Sequence, residues 1–240
     1  LNSTLNRTST KLTILTGGLI NGAGMGYKGG KYHPHEDGLG PSGGINGTGT
    51  GGGGGGGNGG NGGEGGAASS GYGVGGNATG STTYPIHPGS GGGAYSTGFG
   101  GAGGGLIYFN ISDTLYLNGT ILSQGAMGFT STHGGAGGAG GTIVIETDKF
   151  IGTGQINVSG GLGADTGNQD GGPGGGGKIA VYYKHYEWTG TNVSESAGPL
   201  TNAEMGTNGT SFFWKFPEIT FITNGTDNLT HGIVETSMNY

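Results

Sequence analysis

The chain contains no cysteine, so disulfide bonds cannot hold its fold together. Charged residues make up only 9% of the 240 residues, and the eight lysines and arginines form no basic cluster. Nucleic-acid binding is therefore not expected, because it requires a concentrated positive surface. No apolar run approaches the roughly 18 residues that a membrane-spanning helix needs, so no membrane span is expected.

Proline is also scarce, whereas glycine is very abundant, with 7 and 68 residues respectively. The glycines follow no Gly-X-Y period, which excludes a collagen triple helix. Ordering so much glycine costs conformational entropy. We therefore expect the glycine-rich stretches to be held by a stacked scaffold, by neighbouring subunits or by attached glycan.

A repeat organises the second half of the chain. A glycine-rich run is followed by a short β-type segment three times, with segments beginning at Leu106, Thr142 and Lys178, 36 residues apart. Within each segment apolar residues recur at every second position, as on one face of a strand. A fourth copy is predicted over Ser211–Phe216 at shorter spacing, with Phe212, Trp214 and Phe216 on the apolar face.

A constant period of this length is typical of solenoids, propellers and arrays. We predict an all-β fold, a glycine-rich right-handed parallel β-helix (β-solenoid) with long glycine-rich loops. A β-sandwich with coincidental spacing is the alternative. Residues 1–240 are predicted to form one domain, with a first rung or arm over 1–24, glycine-rich loops packed on it over 25–105, and regular rungs over 106–240.

The sequence contains 11 Asn-X-Ser/Thr acceptor sites for N-glycosylation. They begin at Asn2, Asn6, Asn46, Asn77, Asn110, Asn118, Asn157, Asn192, Asn208, Asn224 and Asn228. A single such site is a weak motif, but this density indicates passage through a eukaryotic secretory route. That signal outweighs the lack of cysteine, and we predict an extracellular protein that carries covalent N-linked glycans. The alternative is that Asn-Gly-Thr merely makes tight turns, which are themselves exposed.

Residues Gly100–Tyr183, together with YPIHPGSGGG at Tyr84–Gly93, resemble a glycine-rich parallel β-helix module found in large surface and secreted proteins of protists and bacteria. The similarity covers roughly residues 12–225. It implies a surface or extracellular scaffold, and it transfers no catalytic residue to this chain. The acceptor-site density and the long glycine run resemble, more weakly, the glycoproteins of protist surface hairs and fibrils.

The sequence gives little support for a metal site or for enzyme activity. His33, His35, Glu36 and Asp37 are candidate metal ligands, but their spacing is not specific, and a polar turn explains them equally well. The acidic residues are scattered rather than paired as glycoside hydrolysis requires. We expect no enzyme activity and no cofactor other than the covalent glycans.

The predicted function is that of a structural subunit of an extracellular filament or surface coat. Copies of this chain would form a homopolymer through glycine-rich contacts and uncapped solenoid ends, with other surface glycoproteins as further partners. The alternative is a surface adhesin, a glycan-binding β-helix whose exposed tyrosines and tryptophans make the contacts. Ice binding is a third possibility, but the chain lacks a regular Thr-X-Thr ladder.

Overall fold

The computed structural model describes residues 4–31, 36–66, 71–129, 133–198 and 200–217. These residues form nine strands and no helix. The strands are β1 (Thr4–Ile14), β2 (Leu19–Asn21), β3 (Leu106–Leu117), β4 (Thr120–Leu122), β5 (Thr142–Gly152), β6 (Gln155–Asn157), β7 (Lys178–Trp188), β8 (Thr191–Val193) and β9 (Thr210–Lys215).

The strands make two parallel sheets. The larger sheet has the order β1-β3-β5-β7-β9, and the smaller has the order β2-β4-β6-β8. The predicted register is confirmed, since Leu106, Thr142 and Lys178 lie side by side on neighbouring strands. Ile121 also lies beside Ile156, as the repeat predicted.

The core lies between the two sheets. Its largest side chains include Phe109 and Phe150 from the larger sheet and Ile121 and Ile156 from the smaller one, all fully buried. Trp188 stacks on Phe150 with ring centroids 5.0 Å apart. Strands buried on one face by apolar side chains are what the alternating pattern predicted.

The all-β prediction is confirmed, but the right-handed β-helix is wrong. The described strands form two separate sheets, which are not closed into a solenoid coil. The long stretches that would have to close each coil are glycine-rich. They bond instead to one another, and they do so with a period of three residues rather than two.

Residues 51–57 show this period most clearly. The N–H groups of Gly53 and Gly56 bond to residues 134 and 137, whereas those of Gly54 and Gly57 bond to residues 45 and 42. Every third residue thus faces the same neighbour, as in the extended helix with three residues per turn. When the bonds that residues 51–57 donate and those that they accept are taken together, they connect this segment to six others. They are residues 42–45, 62–66, 73–76, 93, 134–137 and 172–175.

Residues 134–141 occupy a second interior position of the same array, which we call the glycine lattice. Their N–H groups bond to residues 169–175, 90–93 and 123–126, and their carbonyl groups accept from three further segments. Ala136 and Ala139, three residues apart, are both fully buried. The backbone polar groups of these buried segments therefore find partners without forming a β-sheet.

Buried Asn58 joins the lattice to the larger sheet. Its side-chain amide donates to the carbonyl oxygens of Gly140 and Gly141 at 2.8 and 3.1 Å and to Thr142 Oγ1 at 3.2 Å. Thr142 is the first residue of β5, so this amide fixes the strand's start against the lattice.

The fourth copy forms a strand, β9, but the prediction of which of its side chains face the core is wrong. Val181 lies beside Phe213, which packs against the core, so Phe212 and Trp214 project from the opposite, outer face. The spacing between Lys178 and its partner Thr210 is shorter than the regular repeat. A slip of one residue exchanges the two faces of a strand.

Candidate functional site

The outer face of the larger sheet carries an unusual set of side chains. Two rows cross the strands there. The first row is Asn6, Tyr108, Val144, Ala180 and Phe212, and the second is Thr8, Asn110, Glu146, Tyr182 and Trp214. Aromatic residues gather at the β7–β9 side of this face, whereas Asn6 and Asn110 lie at the β1–β3 side.

The aromatic side chains pack against one another. The Tyr182 ring lies 5.9 Å from the rings of both Phe212 and Phe216, measured between centroids. Tyr84, from the loop before β3, covers Tyr182 at 5.2 Å. Trp214 stacks nearly parallel to Phe212 and is 49% exposed. We call these five residues with Tyr108 the outer-face aromatic cluster.

The polar ends of the tyrosines converge near Glu146. Tyr108 donates its hydroxyl hydrogen bond to the Glu146 carboxylate, and burial, followed by this bond, raises the pKa of Tyr108 to about 12. Burial, followed by the charges of Tyr84 and Glu146, raises the pKa of Tyr182 to about 12 as well. Both hydroxyl groups therefore stay protonated at neutral pH, and each can donate a hydrogen bond.

The Tyr182 hydroxyl is buried and has no hydrogen-bond partner within the described part of the chain. The arrangement offers flat apolar rings, protonated donors and one carboxylate acceptor. Such a surface suits a neutral, hydroxyl-rich ligand or a packed side chain.

A second feature is the open end of the core at β1 and β2. Both strands pair on one side only within the described residues. Leu5 on β1 and Met25 after β2 are 44% and 48% exposed, and they line a groove of about 130 Å³ beside Ile107. Unpaired strand edges beside exposed apolar side chains favour the addition of another chain.

Most described glycosylation acceptors lie on the surface. The exposed ones are Asn6, Asn77, Asn110, Asn118, Asn192 and Asn208. Asn46 and Asn157 are half-buried. Asn2, Asn224 and Asn228 lie outside the described residues. The amide oxygens of Asn118, Asn157 and Asn208 accept backbone N–H bonds, which leaves the nitrogen that a glycan would modify outside those bonds.

The proposed metal ligands are only partly described. His33 and His35 fall outside the described residues, and Asp37 Oδ1 accepts a hydrogen bond from the backbone N–H of Asn46 at 2.7 Å. In the described ranges no three histidine, aspartate or glutamate side chains, Glu36 included, gather as a metal site would need. The same ranges hold no helix suited to crossing a membrane.

Sequence reasoning missed the aromatic cluster for two reasons. It assigned Phe212, Trp214 and Phe216 to the apolar core face, and Tyr84 belongs to a glycine-rich stretch whose path no periodicity indicated. The consecutive aromatics Phe212, Phe213 and Trp214 were the available signal, because such a run must place rings on both faces of a strand.

No protein-family model matches this chain. Neither a curated protein nor a solved structure shows significant similarity to it.

Proposed function

We propose that this chain is a structural subunit of an extracellular, N-glycosylated filament or surface coat, with a scaffolding rather than a catalytic role. Copies join when β9 and β8 of one copy meet β1 and β2 of the next. One observation carries the proposal. Among the residues that the structure describes, the β1–β2 end presents two unpaired strand edges beside an open apolar core, with Leu5 and Met25 exposed.

All strands within each sheet are parallel. A second copy added in the same orientation would therefore continue both sheets at once. The contact uses different surfaces on the two copies, so it is heterologous and leaves a free edge after every addition. Such contacts generate open filaments unless a rotation closes them into a ring.

The far end supplies a matching apolar surface. Phe213 on the edge strand β9 is half-buried and stacks over Trp188 at 6.1 Å, and Tyr186 is 42% exposed. With the register continued, Leu12 of a following copy would extend the row of Tyr186, Arg7 the row of Phe213 and Leu5 the row of Ser211.

The low charge of the chain fits a glycosylated surface. With only 9% charged residues, the protein needs another solubilising layer, and N-glycans on the exposed asparagines would provide one. The glycine lattice suits a load-bearing role, because its interior segments are hydrogen-bonded to neighbours in several directions.

The experiment compares assembly of the secreted wild-type chain with that of a Leu5→Lys/Met25→Lys variant. Sedimentation velocity and electron microscopy measure the size of the particles. We expect concentration-dependent oligomers or fibres from the wild type and monomers from the variant, because two buried ammonium groups would oppose the contact.

The matched control is Leu39→Lys/Ile45→Lys, which adds the same charges at positions 57% and 43% exposed in the glycine lattice. This control should assemble like the wild type. Monomeric wild-type protein at all concentrations would contradict the proposal. If only the control variant failed to assemble, the contact between copies would have to involve the glycine-rich segments instead of the β1–β2 end.

A further inference from the structure

Tyr108 lies between two glycosylation acceptors on the outer face of the larger sheet. Asn110 is two residues further along β3, on the same face, at about 7 Å along the strand. Asn6 lies directly beside Tyr108 on β1, about 4.8 Å away between neighbouring strands. Both asparagines are exposed.

Glu146 completes this arrangement. It lies on β5 directly beside Asn110, in the same row across the strands. Its carboxylate already accepts the Tyr108 hydroxyl, and a carboxylate can accept several hydrogen bonds at once. The space next to Asn110 thus offers an aromatic ring and a free acceptor.

We propose that the glycan attached to Asn110 folds down onto this face. Its first sugar rings pack an apolar face against the Tyr108 ring, and one of their N–H or O–H groups donates to Glu146. The inference rests on the N-glycosylation part of the proposed function but not on filament assembly. The ligand of the outer-face aromatic cluster would then be a glycan attached to the same chain.

The chemistry favours a neutral sugar at this position. Amphipathic rings such as tyrosine bury well against a ligand with one apolar and one polar side. The adjacent carboxylate would repel acidic sugars, so uronic or sulfated units belong further along the glycan. From Asn110 the face continues towards Tyr182 and Trp214, two and three strands away, which gives a longer glycan further rings to contact.

The test uses chain secreted from a glycosylating eukaryotic host, with unglycosylated chain from bacteria as reference. Ser112→Ala removes the Asn110 acceptor motif while keeping Asn110, and Ser112 is exposed. We expect this substitution to lower the melting temperature of the glycosylated protein by about 2–4 °C and to leave that of the bacterial protein unchanged. In a Tyr108→Leu background the difference should disappear, since the ring that holds the sugar is gone.

Thr79→Ala is the matched control, because it removes the acceptor motif of Asn77, which lies among the glycine-rich segments. It should give equal shifts in glycosylated and bacterial protein. A second readout needs no variant: proton NMR of the glycosylated wild type should show nuclear Overhauser contacts between sugar protons and the Tyr108 ring.

The outcomes separate the two claims. If mass spectrometry finds Asn110 unmodified in the secreted protein, both the modification at this residue and the docking fail. If Asn110 is modified but Ser112→Ala has the same effect in both hosts and the Overhauser contacts are missing, the docking is overturned while the proposed glycosylation stands.

Discussion

At the scale of single residues, the glycine lattice depends on the missing side chain. A Cβ atom on Gly92 would lie 2.5 Å from the carbonyl oxygens of both Ala136 and Gly137, closer than real Cβ contacts come. These oxygens belong to a backbone held on several sides, so they cannot retreat. As at the axis of collagen, only glycine fits where extended helices approach this closely.

Gly92→Ala should therefore destabilise the protein. We expect a loss of about 1–3 kcal/mol in the free energy of unfolding, the usual range for overpacking a tight interior. Urea unfolding followed by tryptophan fluorescence measures it. Gly198→Ala is the control, because no atom lies within 4 Å of the added Cβ. It should be neutral or stabilising by up to about 1 kcal/mol through the unfolded state. Equal effects of the two substitutions would contradict the crowding argument.

At the scale of elements, the repeat predicted much of the strand pairing. The regular spacing of Leu106, Thr142 and Lys178 gave the register of β3, β5 and β7, because each copy repeats both the turn and the alternation. β9 was predicted as a strand with its faces exchanged. Its aromatic residues occupy both faces, so hydrophobicity alone could not select the register.

The sequence could not reveal the glycine lattice by the same means. Glycine carries no side chain, so a period of three leaves no hydrophobic pattern in a run such as residues 51–57. That period was visible in the alanines of GGAGGAGG, Ala136 and Ala139, and in the polar residues of NGGNGGEGG, Asn58, Asn61 and Glu64. The absence of Gly-X-Y excluded a collagen triple helix but not extended helices packed in another way.

The candidate site was predictable only in part. The exposure of Asn110 followed from strand alternation and is observed. The approach of Tyr84 to Tyr182 depends on the path of a glycine-rich loop, which local sequence does not determine.

The three-residue period makes each lattice segment sensitive to its register. Inserting one glycine between Gly54 and Gly55 would turn every later N–H group of this segment towards the wrong neighbour. The bonds from Gly55, Gly56 and Gly57 to residues 63, 137 and 42 would be lost together. Each buried group left without a partner costs about 1–3 kcal/mol. We expect a protein that unfolds at much lower urea concentration or is not secreted.

The control for this insertion is one glycine added after Gly198. That residue is exposed, and no atom lies within 4 Å of its added Cβ. Surface turns tolerate insertions well, so this variant should retain nearly the stability of the wild type. A wild-type-like melting curve for the first insertion would show that the run has no fixed register.

At the scale of the whole molecule, the lattice and the sheets behave as one hydrogen-bonded body. Residues 53–56 bond to residues 134–137 and 172–175, and those segments lead directly into β5 and β7. Asn58 adds a side-chain link at the start of β5. The glycine-rich stretches should therefore open only when the sheets open, although they contain no assigned strand.

Amide hydrogen exchange tests this coupling. Flexible glycine-rich chain exchanges within seconds, whereas amides that open only with global unfolding are protected by the full free energy of unfolding. We expect residues 52–57 and 136–141 to exchange as slowly as the central strand β5, while the exposed turn at Asn168 exchanges fast. Mild denaturant should raise the exchange rates of lattice and strand with the same slope. Fast exchange in the lattice beside slow exchange in β5 would mean that the glycine runs move independently, and a load-bearing role for them would then fail.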